Sequence, residues 1–161
     1  ARGLFARGHD SVCLLNSDSP TLPTALLRQA ALALAGARDR VVLGPAEDGG
    51  YYLLGLKAAH AHLFEDIRWS SEHVAGETCA RANALGLEIV RLAPWYDVDD
   101  RMTLRRLVRE VAGAGCGERD GAAPYPAPET AACVFRLNLA ERLEVLDPAG
   151  AMHLSADRMA S

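Results

Sequence analysis

The chain has 161 residues, of which 50% are hydrophobic, and a formal net charge of -4. A chain of this size can bury a core, and its acidic balance argues against a nucleic-acid surface, which needs clustered cations. It has no apolar run of the roughly 20 residues that span a membrane, and its four cysteines form no Cys-x-x-Cys pair. We therefore expect a cytoplasmic protein with reduced thiols, without a disulfide framework or zinc ribbon.

The first predicted elements are the end of a helix and a strand. Residues 12–15 form a continuous apolar run that ends in a polar turn, which is typical of a strand buried on both faces in the middle of a sheet. The chain does not begin with methionine, so we expect an amino-terminal segment or a partner chain to cover this strand. Without such a neighbour, the strand would expose an apolar edge.

Strands and helices then alternate along the chain. Helices are predicted from Pro23 to Gly36, at residues 74–85 and at residues 101–111, and strands at residues 40–44, 51–56 and 87–92. This alternation predicts an α/β fold, a Rossmann-like, mainly parallel sheet flanked by helices. We assign residues 1–113 to this domain. Residues 114–161 are a Gly/Ala/Pro-rich linker and an appendage whose secondary structure the pattern leaves open.

Three aspartates follow predicted strands and are candidate metal ligands. Asp18 comes after the first strand, and Asp97 and Asp99 come after the strand that ends near residue 92. Ligands of open parallel sheets bind at the carboxyl ends of the strands, and Mg²⁺ or Mn²⁺ prefers carboxylate oxygens. The spacing equally favours a second interpretation, in which Asp18 forms an Asx turn and Asp99 or Asp100 caps the next helix.

The sequence Asp48-Gly49-Gly50 between two predicted strands is a second candidate site. Paired glycines let a backbone approach a ligand closely and expose their amide groups, and Glu47 and Asp48 could contact sugar hydroxyls. The alternative is a hairpin turn, for which Asp-Gly is a strong signal, and the residues alone favour that turn.

Two other motifs are interpreted as structural. The sequence Trp-Ser-Ser-Glu at residues 69–72 precedes a helix, so Ser70 or Ser71 is the predicted N-cap and Glu72 complements the helix dipole. The arginines of the last predicted helix have the spacing of a solvated face. No nucleophile elbow or P-loop motif occurs.

Four blocks of the sequence together resemble one bacterial family. They are N-S-D-S-P-T-L-P at residues 16–23, G-P-A-E-D-G-G-Y-Y-L-L-G-L at 44–56, W-S-S-E at 69–72 and D-V-D at 97–99. In this order they resemble the GT-A-like glycosyltransferases long catalogued as a domain of unknown function, some labelled arsenosugar-biosynthesis glycosyltransferases. The similarity covers roughly the first 110 residues. The fold of this family is similar to that of the nucleotide-diphospho-sugar transferases, which include molybdenum-cofactor and 2-phospho-lactate guanylyltransferases.

The resemblance implies roles for the candidate residues. Asp18 matches the metal-binding aspartate after the central strand, and Asp97 and Asp99 match the late pair that completes the site, with Asp18 and Asp99 also catalytic. Residues 47–50 match the acceptor or sugar side. The family's late motif usually continues with threonine where this chain has Asp100. Nothing before Asp18 matches the family's glycine-rich, basic nucleotide loop, so residues 1–113 resemble the carboxyl-terminal portion of such a domain.

The implied reaction is metal-dependent transfer of a sugar from a nucleotide-diphosphate donor to a small-molecule acceptor. The first alternative is nucleotidyl transfer from an NTP to a small phosphorylated substrate, as in the guanylyltransferases. The second alternative, from another class, is a non-catalytic nucleotide-sugar-binding remnant, because fold alone does not imply activity.

Overall fold

The computed structural model describes residues 1–113 and 122–145. Its elements in chain order are α1 (Arg2–Phe5), β1 (Val12–Leu15), α2 (Thr24–Ala35), β2 (Arg40–Pro45), β3 (Tyr51–Leu56), a 3-10 helix (Ala61–Phe64), α3 (Val74–Ala84), β4 (Glu88–Arg91), α4 (Arg101–Val111), α5 (Pro128–Arg136) and α6 (Leu139–Val145). They belong to two compact units, the first at residues 1–97 and 122–125 and the second at residues 98–113 and 126–145. None of the described helices combines the length and apolar character that a membrane crossing requires.

The first unit is built on a four-stranded sheet in the order β1-β3-β2-β4. Strands β1, β2 and β4 run in one direction, and β3 lies antiparallel between β1 and β2. The reversal of β3 follows from its short connection to β2, because a parallel crossover needs a dozen or more residues. The predicted mainly parallel α/β sheet is thus confirmed, and the antiparallel direction of β3 agrees with the hairpin turn that the Asp-Gly sequence favours.

Strand β1 lies at the edge of the described sheet. Among the described residues it pairs with β3 alone, whereas the sequence predicted a strand in the middle of the sheet. Its side chains alternate between buried and open positions, so Cys13 is exposed and Leu15 is 52% exposed. Because no charge or proline interrupts this strand, the predicted apolar edge is present in the structure.

Both faces of the sheet are covered by helices. On one face, the apolar side chains of β2 and β3 pack against the 3-10 helix and α3, and the buried residues of this cluster are Val41, Leu43, Leu54, Leu56, Leu63, Ala75 and Ala82. On the other face α2 lies so close that a Cβ on Gly55 would come within 3.0 Å of Leu34 and 3.1 Å of Val42. The sheet core therefore depends on tight packing from both sides.

The second unit begins with a capping box at α4. The Asp100 carboxylate accepts the Thr103 amide at 2.7 Å, and the Thr103 hydroxyl in turn accepts the Asp100 amide at 3.1 Å. The backbone bond from Thr103 lowers the pKa of Asp100. The capping interpretation of Asp100 is therefore confirmed, and Thr103 completes the box.

The appendage that the sequence left open contains two helices, α5 and α6. Together with α4 they enclose a small core of Val108, Val134 and Leu143. Arg101 and Arg105 on α4 both donate to the carbonyl of Leu143, at 3.5 and 2.8 Å, near the end of α6. Two arginines of the predicted solvated face therefore satisfy a carbonyl in the last turn of a helix, where intrahelical partners are lacking.

Gly44 on β2 provides a test of the sheet packing. A Cβ at this position would lie 2.4 Å from the ring of the fully buried Tyr52, whose hydroxyl donates to the Ala93 carbonyl at 2.8 Å. Because the ring is fixed at both ends, we expect Gly44→Ala to lower the free energy of unfolding by about 1–3 kcal/mol. Urea unfolding followed by tryptophan fluorescence measures this unit, since Trp69 and Trp95 both lie in it.

The matched control is Gly76→Ala in α3, where an added Cβ would meet nothing within 4 Å. A helical Gly→Ala change should raise the free energy of unfolding by about 0.5–1 kcal/mol. The two variants should therefore shift the urea midpoint in opposite directions. If the urea midpoint of Gly44→Ala equals that of the wild type, the packing described for Tyr52 is contradicted.

Candidate functional site

Three acidic loops lie at one edge of the first unit's sheet. Because β1, β2 and β4 run in the same direction, the segments after their carboxyl ends share that edge. Asp18 follows β1, Asp48 follows β2, and Asp97 follows β4. The topology therefore places the three segments that carry these aspartates at the edge where ligands of α/β sheets bind.

Backbone bonds attach the segment after β4 to the turn after β2. The Trp95 amide donates to the Pro45 carbonyl at 3.1 Å, and the Glu47 amide donates to the Trp95 carbonyl at 3.0 Å. These bonds continue the parallel pairing of β2 with β4 past the ends of both strands. As a result, a carboxylate oxygen of Asp48 and one of Asp97 lie within 4.8 Å of each other.

A buried hydroxyl pair attaches the loop after β1 to the same segment. The hydroxyls of Thr21 and Tyr96 lie 3.0 Å apart, and each residue is 1% exposed. Thr21 lies three residues after Asp18, and Tyr96 directly precedes Asp97. The loops that carry Asp18 and Asp97 are therefore joined by a bond that water does not reach.

Asp18 itself is partly buried, and its atom Oδ1 is inaccessible to solvent with no hydrogen-bond partner among the described residues. A buried carboxylate oxygen without a donor is costly unless a cation or another donor reaches it. The neighbouring turn is formed by other groups, since the Asn16 amide donates to the Ser19 hydroxyl at 3.0 Å. The neighbouring turn therefore supplies no donor to Oδ1 of Asp18.

Asp99 lies two residues after Asp97, at the start of the second unit. Its amide donates to the Thr103 hydroxyl at 3.2 Å, and its side chain is exposed. The metal roles of Asp18, Asp97 and Asp99 stay predictions. The sequence pattern predicted Asp48 on the substrate side only, because its proximity to Asp97 depends on the pairing of β2 with β4.

The Asp48-Gly49-Gly50 segment forms the hairpin turn between β2 and β3. The Gly50 amide donates to the Asp48 carboxylate at 2.8 Å, and the Gly49 amide donates to the Ala46 carbonyl at 3.2 Å. Gly49 has a φ of 96°, and a Cβ there would lie 2.1 Å from the carbonyl oxygen of Glu72. The close approach that glycine permits is therefore to the chain's own backbone, and both amides already donate within the turn.

The loop that touches Gly49 precedes α3. This helix begins at Val74 with His73 as its N-cap and no side-chain cap bond, so the predicted N-cap role of Ser70 or Ser71 is wrong. The Ser71 hydroxyl instead donates to the Arg68 carbonyl at 2.6 Å and accepts the His73 amide at 3.3 Å. Ser71 therefore stabilises the loop before the helix, and the N-cap lies at His73, two to three residues after the predicted Ser70 or Ser71.

Comparison with known proteins agrees with this architecture. Residues 1–71 match the family described as "uncharacterized protein conserved in bacteria (DUF2064)". A crystal structure of a "putative nucleotide-diphospho-sugar transferase" from Desulfovibrio desulfuricans G20 is 29% identical, with a TM-score of 0.64. The similarity covers 84% of this chain and 58% of that protein. No curated protein matches the chain. The predicted resemblance and fold class, an α/β sheet of the nucleotide-diphospho-sugar transferase type, are therefore confirmed.

Replacing Gly49 or Gly50 by alanine should lower the free energy of unfolding by different amounts. In Gly49→Ala the new Cβ would clash with the Glu72 backbone, and the positive φ would be strained. We expect the free energy of unfolding to fall by at least roughly 1–3 kcal/mol. In Gly50→Ala the nearest atom would be a flexible Asp48 carboxylate oxygen at 3.1 Å, so the loss should be about 1 kcal/mol or less. Equal urea midpoints for the two variants would contradict the described contact with Glu72.

Proposed function

We propose that this chain provides the acidic part of a transferase site that uses a nucleotide-diphosphate sugar and Mg²⁺ or Mn²⁺. In this proposal the sugar passes to a small-molecule acceptor. The observation that carries the proposal is the joining of three acidic loops at one sheet edge, by the Thr21–Tyr96 hydroxyl pair and the Trp95 backbone bonds. The similarity to the transferase-like protein from Desulfovibrio desulfuricans G20 supports it, although this chain spans 58% of that protein.

The residues at this edge fit a hard divalent cation. Asp48 and Asp97 present carboxylate oxygens within 4.8 Å of each other, and like charges at such a distance repel unless a cation lies between them. Oδ1 of Asp18 is buried without a donor. Carboxylate oxygens are the ligands that Mg²⁺ and Mn²⁺ prefer, and such ions take their remaining ligands from water and substrate phosphates.

Each residue has a separate task in the proposed reaction. Asp18, Asp97 and Asp99 would hold the cation, and the Asp48 carboxylate beside Asp97 would add its negative charge to the same site. The cation would supply charge neutralisation for the departing nucleoside diphosphate. Asp18 and Asp99 are the residues that we place nearest to the reacting phosphate and sugar. Glu47 and Asp48, both exposed in the β2–β3 turn, are available to accept hydrogen bonds from sugar hydroxyls.

Metal and nucleotide binding test the proposal directly. Calorimetric titration of the chain with UDP and with GDP, each with and without Mn²⁺, should show binding that depends on the metal. Asp18→Asn and Asp97→Asn should each weaken Mn²⁺ binding by at least about tenfold, since even partners of metal ligands contribute that much. Asp18→Asn should leave the thermal midpoint almost unchanged, because the neighbouring turn is formed by Asn16 and Ser19 and asparagine is close to aspartate in size.

The matched control is Asp10→Asn, an exposed aspartate before β1 and so beyond the opposite end of that strand. It should leave both titrations unchanged. Equal nucleotide affinity with and without Mn²⁺, in wild type and in both site variants, would refute the metal site and favour a non-catalytic binding protein. Release of pyrophosphate from an NTP, in place of nucleoside diphosphate from a nucleotide sugar, would assign nucleotidyl transfer instead.

A further inference from the structure

The loop between the 3-10 helix and α3 contains an exposed tryptophan. Trp69 is 52% exposed, although its ring stacks on Phe64 with a centroid separation of 6.5 Å and an interplanar angle of 15°. Tryptophan carries a large apolar surface, so leaving half of it in water forgoes part of the free energy that burial would give. An exposed indole with one face supported by another ring is a feature of binding surfaces.

Bonds from α3 hold this loop in a fixed conformation. The Glu77 carboxylate accepts both the Arg68 amide, at 2.8 Å, and the Arg68 Nε group. Hydrogen bonds from Arg68 lower the pKa of Glu77, so this carboxylate stays ionised and the contact is retained at neutral pH. Arg81 donates to the Glu65 carbonyl and to the Asp66 carboxylate, each at 3.2 Å. The exposure of Trp69 therefore reflects a constrained loop.

The backbone next to Trp69 is also constrained. Ser70 has a φ of 58°, which a residue other than glycine adopts at a cost of about 1–3 kcal/mol. The Trp69 amide donates to the Ile67 carbonyl at 2.9 Å, and Ile67 is buried. A strained conformation that is held by surrounding bonds is typical of loops that position a functional side chain.

The same loop ends against the turn that carries Asp48. Glu72 packs on Gly49 so closely that no Cβ fits there, and the Gly49 carbonyl accepts the Ala75 amide at 2.9 Å. Three residues of chain span at most about 11 Å, so Trp69 lies within that reach of the contact. The exposed Glu72 carboxylate adds a hydrogen-bond acceptor to this part of the surface.

We propose that Trp69 is a stacking platform for a pyranose ring beside the Asp48 turn. The face of an indole is negative, and the C–H groups of a sugar ring carry partial positive charge, so the two attract each other. Exposed carboxylates such as Glu72 and Asp48 suit the hydroxyl groups at the ring edge. This subsite rests on the proposed function and assigns a carbohydrate as the group bound on the sugar or acceptor side.

The two possible sources of the ring can be separated with defined probes. The donor arm compares UDP-glucose with UDP and GDP-mannose with GDP, in the presence of Mn²⁺. The acceptor arm uses methyl glucoside and methyl mannoside without nucleotide. In at least one arm, we expect the sugar to protect the tryptophan fluorescence of the wild-type chain from acrylamide quenching. Protection should vanish in Trp69→Phe, where the remaining Trp95 is 1% exposed.

Affinities measured by calorimetry complete the test. Trp69→Ala should weaken binding of the sugar-bearing probe by roughly 2- to 12-fold and leave UDP and GDP unchanged. Trp69→Phe keeps an aromatic face and should retain most of the affinity. If Trp69→Ala does not fold, as judged by circular dichroism, the protection measured in the wild type and in Trp69→Phe decides the question.

Several results would overturn the platform. One is that no sugar protects the wild-type tryptophan fluorescence from quenching in either arm. Another is that Trp69→Phe shows the same protection as the wild type. The third is that Trp69→Ala loses as much affinity for UDP as for UDP-glucose. Failure of the proposed function is a different result, in which the wild type binds neither UDP nor GDP with Mn²⁺. The methyl glycoside arm still tests the platform in that case, because it requires neither nucleotide nor metal.

Discussion

The hydrogen bond between the hydroxyl groups of Thr21 and Tyr96 connects two loops that lie 75 residues apart in the chain. Because both groups are buried, losing this hydrogen bond would cost more free energy than losing an exposed one. The Thr21 carbonyl also accepts the Tyr125 amide at 2.9 Å. Three distant segments of the first unit are therefore fixed at the edge of the sheet where the acidic residues lie.

Two acidic side chains at this edge are held close together by the backbone. Asp48 is fixed by the Gly50 amide in the turn, and Asp97 follows the hydrogen-bonded Trp95. These backbone bonds hold a carboxylate oxygen of Asp48 and one of Asp97 within 4.8 Å of each other. In the function that we propose, this arrangement would favour a cation, because the protein would not need to reorganise when the ion binds.

Helix α3 connects the acidic edge to the tryptophan loop. Its residues Glu77 and Arg81 bond to the backbone of that loop, and Ala75 donates to the carbonyl of Gly49. One helix therefore positions the turn that carries Asp48 and the loop that carries Trp69. Through this common scaffold, residues separated by about twenty positions can contribute to the binding surface that we propose, with the helix packed on the sheet as support.

The sequence by itself determined the four strands, helices α2, α3 and α4, and the family resemblance, because apolar periodicity and turn residues act locally. It also gave Asp100 a correct capping interpretation, since a cap depends on neighbours three residues away. Tertiary structure decided the edge position of β1 and the approach of Asp48 to Asp97. It also showed that Gly49 is required by the Glu72 backbone. These features depend on contacts between distant segments, whose partners no local pattern identifies, so only the folded chain brings them together.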